Sequence, residues 1–500
     1  MNVKERQIEC VISTKKDLEE LLRQALDSGV LDLENCQVKV DFNLAELLLA
    51  CGIEKKPIET DDGIWDTLEC PFTFNSKSAT FEKEFIACDF GTKTIFTRNA
   101  YFTHTTFSGI AYFTNTTFTS EVDFTHTNFS RRADFRCTTF SGIADFTNTA
   151  FKRNAYFWRA TFSDIAYFIN TTFSRKADFY KASFSGLAYF ADTTFEKHTS
   201  FKEIILENAQ LNFDHATTHD YLGIVPNELN GEIIIKDTSF ESDKRSLVVD
   251  LENCLEESTG NVQFENIEVD SSGICIKVRN LKKESKVTVH FKECGFYGKN
   301  VVFTKVAMQQ VSITGGSYVA GMGFYLCKWD SEKALECFKF LPFWLKFRAF
   351  KKLNTTDTLE KIESYGYLKV SALDAGDAQL SNDFHFWHQF YQNKWFSWNT
   401  FYLWTSAYGL SAMLPLLWFF IVVCFGFLYY RGNCFWDPLW TSLSASFPLI
   451  LYKVEPIQNA IKTVATKMGE RFYLVYILQH LIQGYLLFQI GAAIRNKVKR

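Results

Sequence analysis

From Phe102 to Phe201, phenylalanine returns at strictly alternating steps of five and six residues, so the true period is eleven. The column starts less regularly, at Phe85, Phe90 and Phe96. Two residues before each Phe from Phe90 on stands a small or β-branched residue, running Cys88, Thr94, Ala100, Thr105, Ala111 and onward to Thr199. A period of five or six fits neither the 3.6 of a helix nor the 2.0 of a plain strand. It fits a chain that turns a corner every five or six residues. Side chains alternate along a strand, so each Phe shares a face with the small residue two before it. Both then point inward: Phe135, Phe140, Phe146 and Phe151 fill the axis, and Ala133 and Ala144 leave them room. The residues between, such as Asp123, Asp134, Tyr156 and Tyr167, point out. Corners carry turn formers, as at Ser141-Gly142, Asn154 and Ser185-Gly186. Four sides make a coil of 22 residues. Stacked at about 4.8 Å, the regular part makes five-odd turns, on the order of 25 Å.

Units such as Ala133-Asp134-Phe135-Arg136-Cys137 and Ala177-Asp178-Phe179-Tyr180-Lys181 resemble the A-(D/N)-(L/F)-x-x unit of pentapeptide-repeat proteins, over residues 81–201. The resemblance implies a right-handed quadrilateral β-helix of Phe type. Phe stands where the family more often has Leu, and every second side has an extra residue, so a wider coil is expected. Phe-rich strands in a sandwich would not keep a fixed period. Some members of that family mimic DNA with an acidic rod. Residues 81–201 hold eleven Asp/Glu and thirteen Lys/Arg, so no sustained negative field is expected here.

The whole chain has a net charge of −4, which argues against a nucleic-acid partner. Its 13 cysteines form no C-x-x-C pair, and Cys88 reads as a buried apolar residue, which points to a reducing cytoplasm for the soluble part. The amino terminus has no apolar h-region, so no signal peptide is expected. There is no nucleophile elbow, phosphate loop or zinc-helix motif, and neither an enzyme nor a cofactor is expected.

In chain order, residues 1–80 read as an α/β cap over the open end of the coil. Asp17–Asp27 predicts a helix with Leu18, Leu21, Leu22 and Leu26 on one stripe and a stop at Gly29; Val30–Leu44 alternates like a strand, and Pro57 and Pro71 break the stretch after it. Residues 202–327 predict irregular β rungs continuing the coil, the alternative being a separate small β domain. Residues 328–408 read as a basic helical connector with an interfacial aromatic helix. Ala375-Gly376-Asp377 and Asn382-Asp383-Phe384-His385-Phe386 resemble the connector before the membrane segment of many bacterial pentapeptide-repeat proteins. His385 and His388 are spaced as a metal pair, but a membrane-surface helix is the stronger reading and no metal is expected.

Residues 409–500 predict a two-span membrane domain. Ala412–Tyr430 and Phe472–Ile494 are uncharged, preceded by Trp395, Trp398, Tyr402, Trp404 and Tyr408 and closed by Arg495, Lys497, Lys499 and Arg500. Basic flanks put both termini in the cytoplasm of a bacterial inner-membrane protein. Between the spans, Trp436–Ile450 suits a re-entrant helix, and the layout resembles the tetrameric cation-channel pore. No Thr-Val-Gly-Tyr-Gly filter follows it. In a pore, Ser442, Ser444, Ser446 and Pro448 would line the path with Gln479, His480 and Gln483. The other reading is a non-conducting anchor in which these residues join helices. Both imply a homo-oligomer, a tetramer in the pore case, with an unidentified protein partner on the rod.

Overall fold

The computed structural model describes residues 10–325, apart from 61–62, 89–90, 241–245, 270–274, 283, 297–300 and 316–321. It also describes residues 327, 363–370, 381, 384–385, 388, 413–430, 441–442, 455–468 and 470–498. The chain divides into two compact units, Met1–Asp330 and Ser331–Arg500.

The first unit is a parallel β-solenoid. Each 22-residue coil holds four short strands, as in Ala100–Tyr101, Thr106–Phe107, Ala111–Tyr112 and Thr116–Phe118. Partners lie one coil apart, so Ala111, Ala133, Ala155, Ala177 and Thr199 form one line. Phe107, Phe129, Phe151, Phe173 and Phe195 form another. The Phe rings are buried and stack along the axis, 5.0 Å for Phe135 on Phe157 and 4.7 Å for Phe157 on Phe179. Across a corner they meet edge to face, Phe124 on Phe135 at 5.5 Å and 83°. Both geometries suit the ring quadrupole.

The alternation of five and six records two kinds of corner. His104, Asn115, His126, Cys137, Asn148, Arg159, Asn170, Lys181, Asp192 and Glu203 all have left-handed φ, and they recur every eleven residues. Each sits two residues after a Phe, within the five-residue step, and Thr105 N–H closes that turn on Phe102 C=O at 3.0 Å. The six-residue step turns without a left-handed residue.

The rod is longer than its regular part. One line of paired residues runs Leu31, Phe74, Ala100, Val122, Ala144, Ala166, Ala188, Leu211, Ile233, Val262, Val289, Val311. Twelve rungs span roughly 53 Å. After Phe195 two sides merge into long strands, Thr199–Asn212 and Leu222–Lys236, whose pairing carries register shifts.

At the amino end, α1 (Lys15–Ser28) starts two residues before the expected helix. Thr14 and Asp17 form a capping box, and Gly29 ends the helix in the left-handed region. The expected single strand over Val30–Leu44 is three short strands, Val30–Asp32, Cys36–Val38 and Phe42–Asn43, each paired to the coil above. They are part of the first rung. A short helix, α2 (Leu44–Ala50), follows on an Asn43 cap and buries Leu44, Leu47 and Leu48. Pro57 does not break structure: it lies in Lys56–Thr60, antiparallel to Gly63–Cys70, where an edge strand tolerates it. Cys88 is only half-buried, and Ala87 takes the interior instead; Phe90 lies outside the described residues.

In the second unit, α3 (Met413–Tyr429), α4 (Glu455–Met468) and α5 (Glu470–Val498) are described. Phe419, Val423 and Leu486 join α3 to α5, while Val464 of α4 packs with Tyr430 and Phe472. The loop expected between the spans therefore contains a helix. Among the described residues, no helix is long and apolar enough to cross a membrane. The two expected transmembrane helices are not supported by the described helices. α3 has 17 residues, about 26 Å against a hydrocarbon core of ~30 Å. α5 is long enough, but being uncharged is not being apolar: Gln479, His480, Gln483 and Gln489 interrupt it.

Candidate functional site

Two regions hold the candidates: the outward columns of the coil and the polar interior of the helical unit. In the coil, the interior is fully used by packing. Thr127, Thr138, Thr149 and Thr171 are buried, and each hydroxyl donates at 2.7 Å to the carbonyl of the Phe 25 residues earlier. These threonines are therefore more than small. Sequence reasoning missed this, although the recurrence of Thr two residues before Phe107, Phe118, Phe129, Phe140 and Phe151 was the signal. Outside, columns pair across rungs: His104 stacks on His126 at 4.5 Å, Tyr167 on Tyr189 at 5.6 Å. Asp134 occupies an outward position yet is buried, because Arg136 and Arg132 close over it at 2.8 and 3.9 Å.

In the helical unit, the expected lining residues Ser442, Gln479 and Gln483 are buried, and His480 is half-buried. Gln479 Nε2 donates to Ser442 Oγ at 2.7 Å, and Ser442 Oγ donates to Val423 C=O at 2.8 Å. Gly426 lies against the same two side chains, leaving no room there for a Cβ. This contact ties α3, Ser442 and α5 together. The channel-like, two-span arrangement is not supported by the described helices. Ser444, Ser446 and Pro448 lie outside the described residues.

Burial in this unit is inverted. Gln479, Gln483 and Gln489 are inside, while Phe425, Leu474, Leu481 and Phe488 are 65–74 % exposed. Neither amide atom of Gln483 has a hydrogen-bond partner among the described residues.

His385 is buried enough that desolvation, helped by Lys369 and His388, pushes its imidazole down to about 4. His388 is lowered too, by burial and then Lys369. A nearby lysine is a poor neighbour for a metal, and Asp383 lies outside the described residues. Asp214, His215 and Asp237 bring ligand atoms within 4.8 Å of one another. Lys236 stands 3.9 Å from Asp237, and an Asn266 amide already bonds it, so this group reads as a surface polar cluster. Burial raises the thiols of Cys70 and, to about 11, Cys294, which makes them poor nucleophiles.

The sequence of the coil matches the family described as pentapeptide repeats (9 copies), over residues 92–138 and 157–205. Match and geometry together define the coil as a pentapeptide-repeat β-helix. No curated protein matches the chain, and no solved structure does.

Proposed function

We propose that this chain is a non-enzymatic scaffold: a rigid rod offering its outward columns to a protein partner, carried by a helical unit whose outer surface lies in lipid hydrocarbon. The observation that carries the reading is the inverted burial. Exposed Leu474, Leu481 and Phe488 around buried Gln479, Gln483 and Gln489 are the wrong way round for water. In hydrocarbon, apolar side chains face out and polar ones turn inward to join helices. The Gln479–Ser442 contact supports a joining role over a pore-lining one. The reading asks for immersion of these helices in lipid. Gln483, without a hydrogen-bond partner among the described residues, favours self-association through a second copy's polar groups.

The full-length chain, expressed and fractionated, is expected in the membrane pellet after alkaline carbonate and to need detergent for release. A monodisperse chain in the soluble fraction without detergent defeats the reading.

A further inference from the structure

The near-neutral sum of charges on the coil hides their placement. Arg131, Arg153, Arg175 and Lys197 stand 22 residues apart. Each comes two residues before a member of the line Ala133, Ala155, Ala177, Thr199. The four therefore share one corner, one per rung, about 4.8 Å apart. All four are exposed, and none has an ion pair among the described residues. Their neighbours do: Arg132 and Arg136 engage Asp134, and Lys176 engages Asp178. A groove of about 440 Å³ follows the corner, lined by Ile110, Arg131, Arg132, Arg153, Asn154 and Arg175. Trp158, 41 % exposed, stands on the same arc of the coil, its ring 6.0 Å from Tyr180.

The basic residues gather on one arc, which Asp134 and Asp178 share as ion-pair partners. Between residues 100 and 203 every Lys and Arg falls within 131–136, 152–159, 175–181 or 197–202, the same arc of four successive coils. Glu121, Asp123, Asp145 and Asp164 lie on the remaining sides. Cations one rung apart sit within a Debye length of about 8 Å and repel one another. An anionic partner would relieve that repulsion.

We propose that this corner is a docking ridge for the anionic headgroups of a lipid bilayer, an inference that rests on the lipid-facing reading of the helical unit. Pitch argues for lipid. Acidic side chains on one face of a strand recur at about 6.8 Å, and phosphates along a duplex strand at about 3.4 Å. Fluid headgroups have no fixed repeat and adapt to a 4.8 Å ladder. Composition argues the same way, since exposed Trp158 and half-buried Tyr180 beside Lys and Arg suit a membrane–water interface. The same chain also exposes Phe425 on α3 and Leu474, Leu481 and Phe488 on α5, the side chains that the lipid-facing reading places against a bilayer.

The test is flotation of the full-length chain with phosphatidylcholine vesicles, with and without about 30 % phosphatidylserine. Binding to phosphatidylcholine alone reads the apolar helices; the gain from phosphatidylserine reads the ridge. The gain is expected to be about tenfold or more at low salt, to vanish near 0.5 M salt, and to be absent in R131Q/R153Q/R175Q, which still binds phosphatidylcholine. Removing unpaired like charges should leave the unfolding temperature unchanged or higher, and R153Q alone should lose part of the gain. A gain that survives the triple variant overturns the ridge and leaves the helical reading standing. Loss of phosphatidylcholine binding with the gain retained does the reverse. Displacement from the vesicles by polyglutamate or a single-stranded oligonucleotide, with tighter binding to that polymer, also overturns the ridge.

Discussion

Thr127 donates its buried hydroxyl to the carbonyl of Phe102, 25 residues earlier and one rung away, at 2.7 Å. That carbonyl also accepts the N–H of Thr105, which closes its own corner. One oxygen thus links a turn to the next coil. Thr127→Val keeps the shape and removes the donor, and should cost about 1 kcal/mol in urea unfolding. Thr127→Ala adds a small cavity and should cost more. Equal stability of wild type and the Val variant would mean the bond contributes nothing.

Phe146 stacks between Phe124 and Phe168, 4.9 Å from each ring. Phe146→Ala should cost about 3–5 kcal/mol. Because each coil touches only its neighbours, the damage should stay near that rung. Hydrogen exchange should quicken in the coils next to residue 146 while the rungs around Val289 keep their protection. Uniform loss along the rod would contradict this.

Arg159 holds a left-handed φ of 54°, in a column where Asn115, Asn148 and Asn170 do the same. Left-handed backbone costs roughly 1–2 kcal/mol for most residues and less for Asn. Arg159→Asn should raise the melting midpoint, and Arg159→Val should lower it. A Val variant as stable as wild type would show that the corner relaxes.

His385 is kept neutral by burial, Lys369 and His388. Its folded value of about 4 lies below the ordinary 6.5, so protonation favours the unfolded chain. The stability tied to neutral His385 is complete above about 6.5 and is lost as pH falls toward 4. An NMR titration should show the ring staying neutral through pH 5, and Lys369→Ala should move its midpoint up. A midpoint at 6.5 in the wild type would contradict the buried placement.

The regular coil was legible because its core repeats: Phe135, Ala133 and their equivalents state side length, face and period together. The amino-terminal rung was not. Between Leu31 and Phe74 the chain inserts α2 and a hairpin, so no fixed spacing marks it. Pro57 misled for a related reason, since edge position is a property of the sheet and not of the residue. The roles of Thr127 and the left-handed corners left a trace in the eleven-residue alternation, but only hydrogen bonds and φ explain it. In the helical unit, uncharged length suggested two spans, while glutamines and a 17-residue α3 say less. The contact between Ser442 and Gln479 joins residues 37 apart with no period to announce it.

The central claim, that the inverted surface of the helical unit faces hydrocarbon, is tested most directly by spin labels on the reconstituted full-length chain. Labels replace Leu474, Leu481 and Phe488 on the exposed face of α5, with Lys462 on α4 as the aqueous contrast. The account predicts that the first three relax readily with oxygen and are shielded from a water-soluble nickel chelate, while the label at 462 shows the opposite. Free access of the nickel chelate to positions 474, 481 and 488 would contradict it.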